Sequence, residues 1–229
     1  MANDFFRFKR FTVHQSRCAM KVGTDGTLLG AWAHGGRRIL DIGTGTGLIA
    51  LMMAQRFPYA QIVGVDIDED ACRQARENVA FSPFDTITIC HLDVCALQGE
   101  FDCIISNPPF FELSLTCPDR GRTMARHASS LSYRQLMENV RRLLSDDGEL
   151  SLVIPRECKA RIEEEAVLAG FFKSRECAVK TTPQKLPRRY LLAFRKHPVD
   201  DIETTEGIIE NGPNMRSEWY QELTKDFYL

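Results

Sequence analysis

At residues 38–47 the chain reads Arg-Ile-Leu-Asp-Ile-Gly-Thr-Gly-Thr-Gly. The first five residues form a short apolar run typical of a buried strand, and the next five place three glycines in one turn. Apolar residues at helical spacing follow from Leu48 to Phe57, and Pro58 ends them. Glycine takes backbone conformations barred to other residues and lets a ligand approach the chain closely. The stretch therefore predicts a strand, a ligand-binding turn and a helix in succession.

The residues that follow repeat this alternation of strand and helix. Strands are predicted at 61–66, 86–91, 101–106 and 149–154, and helices at 68–81, 133–144 and 156–169. Such alternation is typical of a mostly parallel central sheet with helices on both faces, an α/β fold. The last two runs, 171–180 and 189–195, predict an antiparallel C-terminal strand pair.

The composition is that of an ordinary globular protein, with 229 residues, 44% hydrophobic, 26% charged and a net charge of -2. No apolar run approaches the roughly 20 residues that cross a bilayer, and the start lacks the apolar core of a signal peptide, so we expect a cytoplasmic protein without membrane contact. The eight cysteines and five histidines lack the spacing of a zinc site, which predicts free, mostly buried thiols and no metal. Because the net charge is near zero, any contact with nucleic acid must depend on local basic patches.

Two aspartates lie next to the glycine turn in the predicted sheet. Asp41 precedes the turn, and Asp66 ends the next strand about 20 residues on, where an acid can bind two ribose hydroxyls. A nicotinamide dinucleotide favours Gly-x-Gly-x-x-Gly, whereas this chain has Gly43, Gly45 and Gly47. The carboxylate of Asp41 disfavours phosphates and suits amino and sulfonium groups. A tight turn without a ligand is the alternative.

The turn resembles the cofactor loop of class I S-adenosylmethionine methyltransferases. The resemblance implies a Rossmann-like class I methyltransferase fold with S-adenosyl-L-methionine as the cofactor, its methionine end held by Asp41 and the glycine turn. It places Asp93 against the adenine amino group, and a simple loop-capping role for Asp93 is the alternative. The implied cofactor site comprises Thr24, Asp25, Asp41, Gly43, Gly45, Gly47, Asp66, Ile67, Asp93, Val94 and Asn107.

A second motif, Asn107-Pro108-Pro109-Phe110, ends the predicted strand 101–106. A proline offers a carbonyl but no N–H, so Asn107 and Pro108 present acceptor oxygens at a strand end, and Phe110 can cover a flat group bound there. The motif resembles the one with which amino-methyltransferases bind a planar NH₂ group. In that family the asparagine oxygen and the first proline carbonyl accept the two N–H bonds, and the aromatic ring stacks on the substrate. The resemblance implies catalytic roles for Asn107, Pro108 and Phe110.

A closer resemblance runs from end to end. Together with the two motifs, the segments 11–13, 21–26, 28–32, 126–127 and 223–229 are similar to the bacterial tRNA(Val) adenine-N6 methyltransferases. This resemblance implies an enzyme whose partner is tRNA and which methylates the adenosine on the 3′ side of the anticodon. We also expect the chain to be a monomer. Basic side chains would hold the RNA phosphates. The candidates are Arg7, Lys9, Arg10, Arg122, Arg126, His127, Arg188 and Arg189.

We divide the chain into an N-terminal arm with a short helix (1–36) on the cofactor and substrate side, a methyltransferase domain (37–196) and a docked tail (197–229). The short helix is expected to be capped by Thr24 or Asp25. The alternating basic and aromatic residues of the arm fit two structures equally well. One is a surface that stacks on RNA bases, and the other is a hairpin with its rings inward and its charges outward.

Other functions fit part of the sequence. Glutamine-N5 methylation of a release factor would use the same acceptors, although only about 35 residues precede the first strand, too few for the helical N-terminal domain usual in that group. Methylation of DNA adenine or of guanine N2 in ribosomal RNA is a weaker variant. A non-catalytic tRNA-binding protein and, third, a dehydrogenase complete the alternatives.

Overall fold

The computed structural model describes residues 4–18, 21–108 and 131–229. The strands are β1 (Phe5–Arg7), β2 (Thr12–His14), β3 (Arg38–Ile42), β4 (Gln61–Asp66), β5 (Ile87–His91), β6 (Phe101–Ser106), β7 (Leu144–Pro155), β8 (Phe172–Lys180), β9 (Arg189–Arg195), β10 (Glu203–Ile208), β11 (Glu210–Gly212) and β12 (Met215–Arg216). The helices are α1 (Thr24–Trp32), α2 (Leu48–Arg56), α3 (Glu69–Ala80), α4 (Tyr133–Leu143), α5 (Lys159–Leu168) and α6 (Glu218–Thr224).

Eight strands form one sheet in the order β10-β8-β9-β7-β6-β3-β4-β5. Strands β3 to β7 are parallel, whereas β9 runs antiparallel to both β7 and β8. Strands β4 and β5 are added in turn on one side of β3. The chain then crosses back, and β6 and β7 are added on the opposite side of β3. This reversal makes the boundary between β3 and β6 the switch point, where ligands bind in open α/β sheets. The α/β fold with a mostly parallel sheet and an antiparallel C-terminal pair is confirmed.

Successive side chains of β3 pack into separate hydrophobic cores on the two faces of the sheet. Ile39 packs into a cluster with residues of α1 and α2, whereas Leu40 packs into a cluster with residues of α4 and α5. A strand buried on both faces reads as a continuous apolar run, which is why residues 38–42 could be recognised without alternation.

Two of the helices begin at defined side-chain caps. The Asp68 carboxylate accepts from two N–H groups of α3, and Ser132 and Gln135 form a reciprocal capping box on α4.

Three local expectations differ from the structure. Helix α4 ends at Leu143, and β7 begins at Leu144 rather than at 149, because Leu144 pairs with Phe101 across an irregular register. Strand β10 pairs with β8, so the sheet continues past residue 196 into the segment expected to be only a docked tail. Helix α1 has Gly23 at its N-cap and no side-chain cap, so neither Thr24 nor Asp25 has that role.

The N-terminal arm is a hairpin that buries the rings of Phe8 and Phe11 but leaves Phe5 exposed. Phe8 and Phe11 are buried and stack on one another, with ring centroids 4.8 Å apart. Tyr228 from the end of the chain stacks on Phe8, and the Lys9 N–H donates to the Phe227 carbonyl at 2.8 Å. Because these rings fill a core formed by both chain ends, Phe8 and Phe11 are not free to stack on RNA bases.

The seven cysteines in the described parts of the chain are free thiols, five of them buried, as expected. No helix in those parts is long and apolar enough to span a bilayer.

Candidate active site

The register of the parallel strands brings the two sequence motifs side by side. Ile42, the last residue of β3, lies opposite Ser106, the last residue of β6, and opposite Val65 on its other side. The glycine turn after Ile42 and the residues after Ser106 therefore leave the sheet at the same edge, at the switch point. The Ser106 Oγ–H donates to the Ile42 carbonyl at 2.9 Å and joins the two strand ends directly.

The glycine turn has the backbone that its sequence predicts. Gly43, Gly45 and Gly47 have φ values of +72°, +55° and +80°, a region that favours glycine. A Cβ built on Gly43 would meet nothing within 4 Å, and one on Gly45 only a carbonyl of the turn itself at 4.0 Å. The N–H groups of Gly43 and Thr44 both donate to the Val65 carbonyl of β4, at 2.9 and 3.0 Å. The turn is thus held by hydrogen bonds to β4, and its backbone at Gly43 and Gly45 is uncovered. A ligand can lie against this uncovered backbone.

Asp66 joins the glycine turn to the loop after β4. One carboxylate oxygen accepts from the Gly45 N–H at 2.9 Å and the other from the Asp68 N–H at 3.0 Å. Ile67, the next residue, is half exposed despite its apolar side chain, and its carbonyl lies 3.0 Å from His91 Nε2. The end of β4 therefore presents a carboxylate and a half-exposed apolar side chain at the same edge of the sheet as the glycine turn.

Asp41 lies beneath the turn and is 1% exposed. One oxygen accepts from the Thr44 hydroxyl at 2.7 Å, whereas Oδ1 is buried without a hydrogen bond to a described residue. Burial raises the pKa of Asp41 to about 7, an effect that the Thr44 hydroxyl and the Ala50 N–H reduce and nearby Asp66 increases. A carboxyl group that is costly to ionise and has an unused oxygen is suited to a cationic ligand group.

Asn78 is a supporting residue that sequence reasoning did not identify. It is fully buried on α3, and its amide NH₂ donates to the carbonyls of Thr46 in the glycine turn at 2.9 Å and of His14 at 2.8 Å. Its oxygen accepts from the His14 N–H at 2.9 Å. One amide thus connects the glycine turn, α3 and the N-terminal hairpin. Within the sequence Asn78 looks like a polar residue of an amphipathic helix, and only its tertiary neighbours reveal the role.

Asp93 caps the short 3-10 turn Val94–Ala96 by accepting from the Cys95 N–H at 2.8 Å. This is the capping role that the sequence left open, and its second oxygen is not used in that bond. Val94 is 4% exposed and packs in the core under α4.

Asn107 and Pro108 follow β6 directly. Pro108 is buried and Asn107 partly buried, beside the glycine turn of the neighbouring strand. Phe110 lies outside the described residues. The strand end thus places Asn107 and Pro108 next to the glycine turn.

The remaining candidates have varied surroundings. Asp25 forms an ion pair of 2.7 Å with largely buried Arg189, so these two side chains brace α1 against β9. Arg10 lies over the Phe84 ring, and Lys9 Nζ donates to the Lys225 carbonyl. The other positions are Thr24 at the start of α1, Arg7 in β1, exposed Arg188 beside β9, and Arg122, Arg126 and His127, which lie outside the described residues.

Comparisons with known proteins agree with this geometry. A family model for the methyltransferase small domain matches residues 26–186. The chain is 48% identical to a Bacteroides thetaiotaomicron protein named tRNA1(Val) (adenine(37)-N6)-methyltransferase, with 100% of this chain and 99% of that protein covered. Proteins of the same name from Phocaeicola vulgatus and Tolumonas auensis are 49% and 41% identical, with 100% of this chain and 99% and 98% of theirs covered.

Two solved structures share the fold. A predicted O-methyltransferase from Agrobacterium tumefaciens has a TM-score of 0.68 at 19% identity, covering 89% of this chain and 96% of that one. A methyltransferase from Pyrococcus furiosus has a TM-score of 0.55 at 23% identity, covering 74% of this chain and 79% of that one. These likenesses confirm the Rossmann-like class I methyltransferase fold.

Proposed function

The chain belongs to the methyltransferase small-domain family, and we propose that it transfers a methyl group from S-adenosyl-L-methionine to N6 of an adenosine in tRNA. The observation that carries the proposal is the placement of Asn107-Pro108 next to the open glycine turn, on the adjacent strand of the sheet. End-to-end relatives named tRNA1(Val) (adenine(37)-N6)-methyltransferase support adenosine 37 of tRNA1(Val) as the target.

The residues at the edge of the sheet fit S-adenosyl-L-methionine. The unused Asp41 Oδ1 would accept from its amino group, and the open backbone of Gly43 and Gly45 leaves room for its methionine end. Asp66 would bind the ribose hydroxyls, with Ile67 against the adenine. When bound, the cofactor supplies an electrophilic methyl group on a sulfonium.

Asn107 and Pro108 prepare the amine. The lone pair of an exocyclic adenine amine is delocalised into the ring, which makes it a weak nucleophile. Hydrogen bonds from both N–H groups to the Asn107 side-chain oxygen and the Pro108 carbonyl help to localise the lone pair and direct it at the methyl group. A strong base is not required before transfer, since N6 releases its extra proton afterwards. The contribution of these residues is therefore positioning.

A loop adenosine is an accessible substrate for such a site. Bases in an anticodon loop are unpaired, so one can enter a pocket at small unstacking cost and be read by stacking and edge contacts. Glutamine-N5 methylation would use the same acceptors, but the end-to-end relatives bear a name that specifies adenine(37)-N6 methylation of tRNA1(Val).

The test is methyl transfer from labelled S-adenosyl-L-methionine to unmodified tRNA1(Val) transcript, followed by nucleoside analysis. We expect N6-methyladenosine with the wild-type adenosine and none when adenosine 37 is replaced by guanosine. Asn107→Ala should lower kcat about 100-fold or more while calorimetry shows unchanged cofactor affinity. Transfer of label to a release factor but not to tRNA would reject the proposal.

A further inference from the structure

A group of exposed residues lies beside the candidate site, at the carboxyl ends of β7 and β8 and the start of β9. We name Arg156, Lys185, Leu186 and Arg188 the β9-edge surface. Ser106 pairs with Leu152 of β7, so Arg156 lies three residues beyond the level of Asn107, roughly 10 Å along the strand direction. The Arg156 N–H donates to the Arg188 carbonyl at 3.1 Å, which holds the two arginine backbones together.

The loop 181–188 that carries most of this surface is braced at both ends. The Arg188 N–H donates to the Val179 carbonyl at 2.9 Å, and the Lys185 N–H donates to the Thr182 carbonyl at 3.1 Å. The Glu210 N–H, from the segment after β10, donates to the Thr181 carbonyl at 2.9 Å. A loop closed in this way presents its side chains with little ordering cost on binding.

The β9-edge surface carries three cations that are available to an anionic partner. Arg156, Lys185 and Arg188 are exposed and form no ion pair with a described residue. Glu157 is an exposed acid next to Arg156. With that acid counted, the surface keeps a net charge of about +2 on a chain whose overall charge is -2.

Neighbouring charges, by contrast, are already paired. Arg189 pairs with Asp25 at 2.7 Å, and Lys180 pairs with Glu206 at 2.7 Å. Their carboxylates therefore do not offset the β9-edge surface. Arg189 follows Arg188 in the sequence, but its side chain is paired with Asp25 of α1. It is therefore not part of the β9-edge surface.

Leu186 adds an apolar point to this basic surface. It is 67% exposed and lies between Lys185 and Pro187 in the braced loop. Cations that track a backbone together with an apolar side chain for an unstacked base are the combination that single-stranded nucleic acid requires.

Resting on the proposed function, we propose that the β9-edge surface binds the anticodon loop of the tRNA next to the target adenosine. Arg156, Lys185 and Arg188 contact phosphates, and Leu186 packs on an unstacked base. The offset of three residues along the strand direction between Asn107 and Arg156 places the surface beside the site, where nucleotides that flank the methylated one would lie. The surface determines how tightly tRNA binds, and Asn107 determines the chemistry.

The test compares two triple variants of the full chain, each lowering the charge by three. One is Arg156→Ala with Lys185→Ala and Arg188→Ala. The control is Arg37→Ala with Arg38→Ala and Arg141→Ala, which removes exposed cations at the opposite, amino-terminal edge of the sheet. Fluorescence anisotropy with unmodified tRNA1(Val) at several salt concentrations gives Kd and its salt slope, and steady-state assays give kcat and KM.

For the β9-edge variant we expect Kd and KM for tRNA to rise about tenfold or more, with a salt slope shallower by roughly one per cation. Cofactor affinity by calorimetry should stay unchanged and kcat within about twofold. Leu186→Ser should weaken binding without changing the salt slope. If both triple variants bind tRNA equally well while the wild type methylates it, the inference is rejected and the proposed function stands. A wild-type chain that binds cofactor but methylates no tRNA rejects the proposed function instead.

Discussion

Ser106 donates its hydroxyl hydrogen to the carbonyl oxygen of Ile42 at 2.9 Å, and both groups are buried at the switch point of the sheet. The bond joins the last residue before the glycine turn to the last residue before Asn107. The two loops that the proposed reaction uses therefore share one anchor, in addition to the backbone ladder between β3 and β6. A side chain outside both motifs thus helps to fix the spacing between the glycine turn and Asn107.

Ser106→Ala removes this bond without adding bulk. We expect the free energy of unfolding to fall by about 1 kcal/mol, as for a typical buried hydrogen bond, and kcat to fall because Asn107 is less well positioned. The control is Ser151→Ala on β7, whose buried hydroxyl has no hydrogen-bond partner among the described residues. That change should leave stability unchanged or slightly raised in a urea melt. Equal losses in the two variants would show that the Ser106 bond has no special role.

Asp66→Ala should weaken the cofactor because it removes the proposed ribose ligand and the acceptor of the Gly45 N–H. A rise of about tenfold or more in the calorimetric Kd is expected. Asp68→Ala is the matched control, since it removes the cap of α3 and costs about 1 kcal/mol of stability but leaves the bond between Asp66 and Gly45 in place. If Asp68→Ala weakens the cofactor as much, general destabilisation and not the Asp66 carboxylate explains the loss.

The sequence predicted the strands around the site because each is a short apolar run bounded by glycine, proline or polar residues. It missed β10, Glu203–Ile208, since an edge strand with mostly exposed polar residues has neither an apolar run nor alternation. It extended α4 past Leu143 because the pairing of Leu144 with Phe101 depends on a strand about 40 residues earlier. The local pattern of apolar and polar residues carries no information about such long-range strand pairings.

Within the site, residues that act through backbone geometry were predictable and residues that act through tertiary contacts were not. The left-handed φ values of the glycine turn follow from the glycines themselves. The ion pair of Asp25 with Arg189 joins residues far apart in sequence, so both were expected to contact ligands directly. Their observed contact braces α1 against β9, and local sequence does not reveal that contact.

Asp41 should make both stability and cofactor binding depend on pH. Its pKa is about 7 in the folded chain against an ordinary 3.8, so between these values the folded state holds a proton that the unfolded state has released. The contribution to stability is therefore full below pH 4 and is lost as the pH rises through about 7. A cationic ligand group prefers the ionised form, so cofactor affinity should rise from pH 5.5 to about 7 and then level off.

Asp41→Asn is the variant that isolates this titration. In thermal melts of the cofactor-free protein, the variant should lose less stability than the wild type between pH 5 and 8. Its cofactor affinity, measured by calorimetry, should be lower and nearly independent of pH over the same range. An unchanged pH profile of affinity in the variant would assign the dependence to another group.

Asn78→Ala should affect the cofactor although Asn78 is not proposed to touch it. The change removes three hydrogen bonds and leaves the Thr46 carbonyl and the His14 backbone without their partner, which should cost roughly 2–4 kcal/mol of stability. Since Thr46 belongs to the glycine turn, cofactor Kd should rise as well. Arg17→Ala is the control because it breaks an exposed ion pair with Glu77, another contact between α3 and the arm, and should cost under about 1 kcal/mol with unchanged Kd. If Asn78→Ala lowers stability but not cofactor affinity, the amide stabilises only the arm. The conformation of the glycine turn is then set by its glycines and by its bonds to Val65.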